Sequence, residues 1–293
     1  MNQSIALAVV LVLIASVLFA VASVVQHHAV GDAAAPQEGQ KLSGRQLLAV
    51  IRNPRWIGGL LLTGVGAVIQ VGALMLAPIT VVQPLGVLAV PWTMLLAARV
   101  QKRPVSREGW LATGLTVAGT AAFAWVAITH AAPYPVLNES TLVIGTLVGL
   151  GVAGGLALIG SRGPLAWKCL AWSSAAAVIY GAESGVVKAI GGYVTTRSWI
   201  DSPTFWFLAG SIAVGAVLAG IWIQQGFASG PAETVVGALN AAAPVAGVAY
   251  GIAVLGEGSA ITPTAAVLML GFAAVAIWGV VMLSRIHPAR AGH

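Results

Sequence analysis

Polar and apolar positions in this chain are segregated in blocks rather than alternating. Long runs without Asp, Glu, Lys or Arg are separated by short stretches that hold nearly all the charge. The longest informative run extends from Trp56 to Ala98. A hydrocarbon core about 30 Å thick takes about 20 helical residues, so this run is too long for one crossing and fits two. Ala77-Pro78 lies at its middle. Proline removes a backbone donor and pushes the residue before it out of the helical region. The run therefore predicts a helical hairpin, with residues 57–76 going one way and residues 79–98 returning. The returning arm holds Pro84 and Pro91, with Gln83 beside the first. Membrane helices tolerate such prolines where neighbouring groups satisfy the freed carbonyls, often at a cavity.

The same reading gives seven more spans. They are residues 5–27, 110–128, 141–160, 165–190, 205–225, 234–255 and 263–283. The first is read as a retained helix. Its leading residues Met1-Asn-Gln-Ser4 carry no positive charge, and its apolar run exceeds a signal-peptide core. Residues 31–55 are read as a polar loop, and Gly191-Gly192 as the end of the sixth span. Gly230-Pro231 separates the seventh span from the eighth, and Gly256-Glu257-Gly258 is a turn. The expected fold is an all-α polytopic membrane protein of about nine transmembrane helices.

Composition agrees. Of 293 residues 58% are hydrophobic and only 8% charged, which no soluble domain of this length shows. The net charge of +6 does not point to nucleic acid, because the basic residues lie in short loops between apolar spans. That placement is an orientation signal. With the N-terminus outside and the C-terminus cytoplasmic, all of the 14 Lys and Arg residues except Lys188 and Arg197 face the cytoplasm. The expected location is thus the cytoplasmic (inner) membrane. Trp56, Trp110, Trp167, Trp199 and Trp206 fall near span ends, as interfacial anchors do. A lone cysteine, Cys169, excludes an intrachain disulfide, and no zinc or haem spacing is present. No cofactor is expected. The chain has no P-loop, no dinucleotide fingerprint and no nucleophile with a base at readable spacing, so neither ATP-driven pumping nor an enzyme is expected.

The chain also echoes itself. A shift of about 154 residues sets Gln70 on Gln224, Gly72 on Gly226, Thr80-Val-Val82 on Thr234-Val-Val236 and Leu85 on Leu239. A different shift sets Ser23 on Ser184 and Val25 on Val186. Residues 1–130 then form one four-helix repeat, residues 131–163 a connector helix, and residues 164–293 a second repeat. One intervening helix inverts the second repeat relative to the first. Inverted repeats are a common basis for alternating access in secondary transporters, with the site near the midplane at discontinuous helices. The helix breaks expected at the cavity are Pro78, Pro84, Pro91, Pro231 and Pro244.

The phrase Ala77-Pro-Ile-Thr-Val-Val-Gln-Pro-Leu-Gly-Val-Leu-Ala-Val90 is similar to the proline-leucine-glycine stretch of the NIPA-like branch of the drug/metabolite transporter superfamily. Gly256-Glu257 resembles the Gly-Glu pair that closes the penultimate helix in the wider, EamA-like superfamily, and Gln224-Gln-Gly-Phe-Ala-Ser-Gly230 resembles the turn before it. The resemblance implies a four-plus-five helix count and a secondary transporter. NIPA-like magnesium transporters carry a Gly-Glu pair in the second helix, with an Asn three residues later. Gly66-Ala67 and Gln70 stand at those places here, so the carboxylate that a divalent cation favours is missing.

Seven polar side chains in or beside the spans are candidates for a substrate or coupling path. Glu183 lies near the middle of an uncharged run, where a charge costs at least about 2.5 kcal/mol. It must be protonated, paired or set in a wet cavity. Lys188 is about 140° further round the same helix and is read as snorkelling to the outer interface or meeting substrate. Glu233 follows Gly230-Pro231, an ordinary helix start that can also serve as a gate. Gln70, Gln83, Gln224 and Asn240 either line a polar path or join helices. His27 and His28 diverge by about 100° on a helix, are poor joint chelators, and suit an interface. Gly58-Gly59, Gly154-Gly155 and the spacings Gly145/Gly149 and Gly181/Gly185 suggest close helix packing, within the chain or against a second copy or membrane partner.

The expected function is a transporter of a small polar or amphipathic solute, driven by the proton gradient if Glu183 couples. The competing readings are a flippase for a lipid or lipid-linked sugar, a divalent cation transporter, and a non-transporting membrane subunit.

Overall fold

The computed structural model describes residues 3–34, 41–76, 86–102, 104–130, 138–196, 200–256 and 261–286. These residues form helices and short connections, with no strand among them. In chain order the helices are α1 (Gln3–Ala34), α2 (Gly44–Arg52), α3 (Pro54–Leu76), α4 (Ala89–Val100), α5 (Arg107–Thr129), α6 (Glu139–Arg162), α7 (Leu165–Thr196), α8 (Pro203–Ser229), α9 (Ala232–Val254) and α10 (Pro263–Ile286). Among the described residues, six of them, α1, α5, α6, α8, α9 and α10, are long and apolar enough to cross a membrane.

Several boundaries differ from expectation. α1 continues past His27, because Ala29 and Val30 are fully buried, and Val30 packs with Leu42 and Val50. The stretch 31–55 is not a plain loop. It contains α2, capped by Ser43, whose hydroxyl accepts from the Gln46 amide while the Gln46 side chain accepts from the Ser43 amide. This reciprocal pairing satisfies two helix-terminal donors. α7 runs through Gly191-Gly192 to Thr196. Each glycine costs about 1 kcal/mol in a helix interior, and the burial of Ala189 and Tyr193 against Phe205 and Leu208 offsets that. Pro91 lies in the first turn of α4 and Pro231 caps α9, positions where proline is tolerated. Pro244 lies inside a continuous α9, so it is not a break. The predicted turn at Pro78, with Gln83 and Pro84, lies outside the described residues.

The helices pack in recognisable pairs. The closest associations are α1 with α3, α5 with α10, α7 with α9, α7 with α8, and α6 with α7. Small residues make two of these crossings close. A Cβ on Gly119 of α5 would lie 2.6 Å from the Ala276 nitrogen, and one on Gly279 of α10 would lie 2.6 Å from the Ala112 carbonyl oxygen. Backbone therefore meets backbone reciprocally, as in small-residue packing in membranes. Between α7 and α9, Gly181 meets the Ala243 carbonyl, and Gly247 meets Ser184. Gly145 abuts Val254, and Gly59 abuts Gln26. Gly58, Gly154 and Gly155 have open space beside them, so close packing does not extend to those three.

Candidate functional site: an amide-lined cavity

One cavity of about 810 Å³ opens within the bundle. It lies where α1 and α8 end and α3 and α9 begin. Phe19, Ser23 and Gln26 of α1, Trp56, Thr63 and Gln70 of α3, and Gln224 of α8 contribute to its wall. Val236 and Asn240 of α9, Tyr180 of α7, and Gly86 and Ala89 beside α4 complete it, while α2 lies at its mouth through Gly44, Leu47, Leu48 and Ile51. None of its described lining residues is an Asp, Glu, Lys, Arg or His.

A continuous hydrogen-bond chain crosses this wall. The Trp56 indole donates to Gln224 Oε1 at 2.9 Å. Gln224 Nε2 donates to Gln26 Oε1 at 3.3 Å, and Gln26 Nε2 donates to Thr63 Oγ1 at 3.2 Å. Thr63 closes the chain on the Gly59 carbonyl at 3.0 Å. The chain joins α1, α3 and α8 around one side of the cavity. Gln224 and Gln26 are only 5% and 7% exposed, so each amide depends on its partners, and an unmet buried polar group costs about 1–3 kcal/mol.

A second glutamine holds the mouth. Gln225 Oε1 accepts from the Leu42 amide at 2.7 Å, and Gln225 Nε2 donates to the Leu42 carbonyl at 3.0 Å. One buried side chain thus pairs with both backbone groups of the residue that leads into α2. His27 adds a contact from its Nδ1 to the Phe227 carbonyl at 3.1 Å, fixing the ends of α1 and α8 together. His28 instead turns to the Val24 carbonyl at 2.8 Å. The two rings stand edge-on at 87°, the divergence expected of neighbours on a helix.

The sequence candidates separate into groups. Gln70, Gln224 and Asn240 line the cavity. Asn240 Nδ2 also donates to the Val236 carbonyl at 2.9 Å, and Pro244, one turn on, has no N–H for the Asn240 carbonyl. Glu183 does not line the cavity. It lies on α7 one turn beyond Tyr180, with Oε1 buried and without a hydrogen-bond partner, and that oxygen rests over Gly215 of α8. Glu233 is 2% exposed in the first turn of α9 and does not line the cavity. Lys188 lies on α7, its side chain outside the described residues, as is the whole of Gln83. The structure brings in Gln26, Thr63 and Tyr180, which the sequence reading did not single out. It also turns Trp56 from an anchor into a donor within the site. Trp110, Trp167 and Trp206 remain half-exposed at helix ends. Gln26 had a legible signal, a lone amide in an apolar run, the same feature that marked Gln70 and Gln224.

Among the described residues no group of three or more His, Cys, Asp or Glu side chains could hold a metal ion. The fold and site together define a multi-pass membrane protein with an internal cavity. Residues 3–144 match the family model described as magnesium transporter NIPA. The first half of the chain is therefore similar to that family, in keeping with the drug/metabolite transporter resemblance. Neither a curated protein nor a solved structure matches the chain.

Proposed function

We propose that this chain is a secondary transporter that carries a small polar or amphipathic solute by alternating access, from the cytoplasmic or inner membrane of the cell. The observation that carries the reading is the cavity, apolar over most of its wall but crossed by the amide chain, with packed side chains at the other end of the bundle. The far end is filled by Leu142, Tyr193, Phe205, Leu208, Tyr250 and Val254. With the positive-inside orientation, the cavity lies towards the cytoplasmic ends of α1, α3, α8 and α9, and the N-terminus lies outside.

Nine crossings in a four-plus-one-plus-four inverted repeat fit the packing. In that scheme α1, α3, α4 and α5 correspond to α7, α8, α9 and α10, with α6 as connector. The pairs α5 with α10 and α4 with α9 then pack across the pseudo-twofold axis, and α1 with α3 mirrors α7 with α8. The reciprocal glycines Gly119 and Gly279 support the same axis. Rocking one quartet against the other would close the present opening and open the far end.

In this reading the amide chain and Asn240 recognise the solute's hydrogen-bonding groups. Glu183 is the coupling acid, about 4.5 Å by helical rise beyond Tyr180 at the cavity's end. A charge at that depth must be met by a proton, a cation or water. Lys188 and Glu233 are assigned to the two ends of the pathway.

A second reading, transport of a divalent cation, is favoured by the family match over residues 3–144. The absence of any acid among the described cavity-lining residues speaks against it, since such ions bind carboxylate and carbonyl oxygens. Proteoliposome flux decides between them. The first reading expects uptake of organic solute sensitive to a proton gradient, and no response of an enclosed magnesium dye. A magnesium response without organic flux would overturn it in favour of the second.

A further inference from the structure

We infer that the cavity is loaded sideways, from the bilayer, and that its substrate is an amphiphile with an uncharged hydrogen-bonding head. This rests on the transporter reading above and names the substrate class of the same site.

The first observation is that the cavity wall and the lipid-facing surface share side chains. Leu60 of α3 is 48% exposed, and Val217 and Ile221 of α8 are 62% and 36% exposed, yet all three line the cavity. On α8, Val217 continues an outward stripe with Trp206 and Val214. On α3, Leu60 continues one with Ile57 and Val68. A cavity sealed from lipid would be walled by residues from the inward faces alone.

The second is the spacing of α3 and α8. The Trp56–Gln224 hydrogen bond joins them at one end, but they do not pack along their lengths. We take the interval between them as the slot, since Leu60 and Val217 on the two helices line the cavity together with Leu47, Leu48 and Ile51 of α2.

The third is the chemistry inside. The portal is apolar, while the interior offers amide, hydroxyl and indole groups and no formal charge among the described lining residues. An ionic head would lose its hydration there without a counter-charge, which is costly. A hydroxyl or amide head would gain directed hydrogen bonds from Gln26, Gln224 or Asn240, with its apolar chain still in the slot. A volume of about 810 Å³ suits a drug-sized amphiphile.

The test uses the full chain in nanodiscs carrying a nitroxide at Ala216→Cys, a cavity-lining position, with monolauroylglycerol as the uncharged probe. Cys169 is buried and takes no label. Dissolved oxygen should collide with the label several-fold more often than a water-soluble nickel chelate, and the probe should immobilise it. Leu60→Trp and Val217→Trp fill the slot without touching the amide chain, and each should cut probe uptake in proteoliposomes by about tenfold or more. Equal access for the nickel chelate, or unchanged uptake in both variants, would overturn the lateral route. Should a water-soluble solute be carried at rates the plugs do not alter, the portal falls and the transporter stands. Should the wild type carry neither probe nor solute nor magnesium, the transporter reading falls, and the collision data still decide the portal.

Discussion

The Trp56 indole and the Gln224 amide, 168 residues apart in the chain, meet at 2.9 Å and link the start of α3 to the end of α8. This bond opens the amide chain on which the cavity wall depends. Gln224→Leu removes an acceptor from Trp56 and a donor from Gln26 together. The expected loss is about 1–3 kcal/mol of stability, read as a lower unfolding midpoint in detergent, with solute flux abolished. A variant of unchanged midpoint and flux would show that the chain supports neither.

Glu183→Gln keeps the side chain's shape and removes its ability to ionise. The variant should fold and insert like the wild type and bind solute, but lose acceleration by a proton gradient. Normal gradient-driven flux in proteoliposomes would reduce Glu183 to a packing residue.

Gly215 leaves room for the Glu183 carboxyl, since a Cβ there would run into Oε1 and lie 3.0 Å from the Ile179 side chain. Gly215→Val should therefore spread α7 from α8 or expel the carboxyl. Overpacking of this kind costs about 1–3 kcal/mol. Gly210→Val, at a position with open space, is the control and should be near neutral in the same thermal assay.

Gln225→Ala frees both backbone groups of Leu42. The stretch 42–52 should then exchange its amide hydrogens faster, while α5 and α10 keep wild-type protection. Slow, unchanged exchange across α2 would show that the capping box alone holds it.

The inverted arrangement requires Lys102 and His130, at opposite ends of α5, to lie on opposite faces of the membrane. Impermeant labelling of cysteines placed at each position in intact cells should modify the 130 site alone. Modification of both, or of neither, would remove the mirror relation between the quartets.

The sequence by itself determined that this is a multi-pass helical membrane protein, and very nearly where its helices lie. Crossing a hydrocarbon layer is a local requirement on length and apolarity, so it is written in contiguous runs such as residues 139–162. The NIPA-like character of the first half was legible for a similar reason, in the contiguous phrase ending at Val90. Tertiary structure decided which amides meet. Gln26, Trp56, Thr63 and Gln224 come from three helices, and their meeting depends on how each helix is turned about its axis. In a membrane the lipid and the neighbouring helices are equally apolar, so Ala-, Val- and Gly-rich helices carry no clear stripe to show which face turns inward. The same blindness hid the continuity of α9 through Pro244 and the extension of α7 through Gly191-Gly192. There, packing against neighbours outweighs a local preference to break.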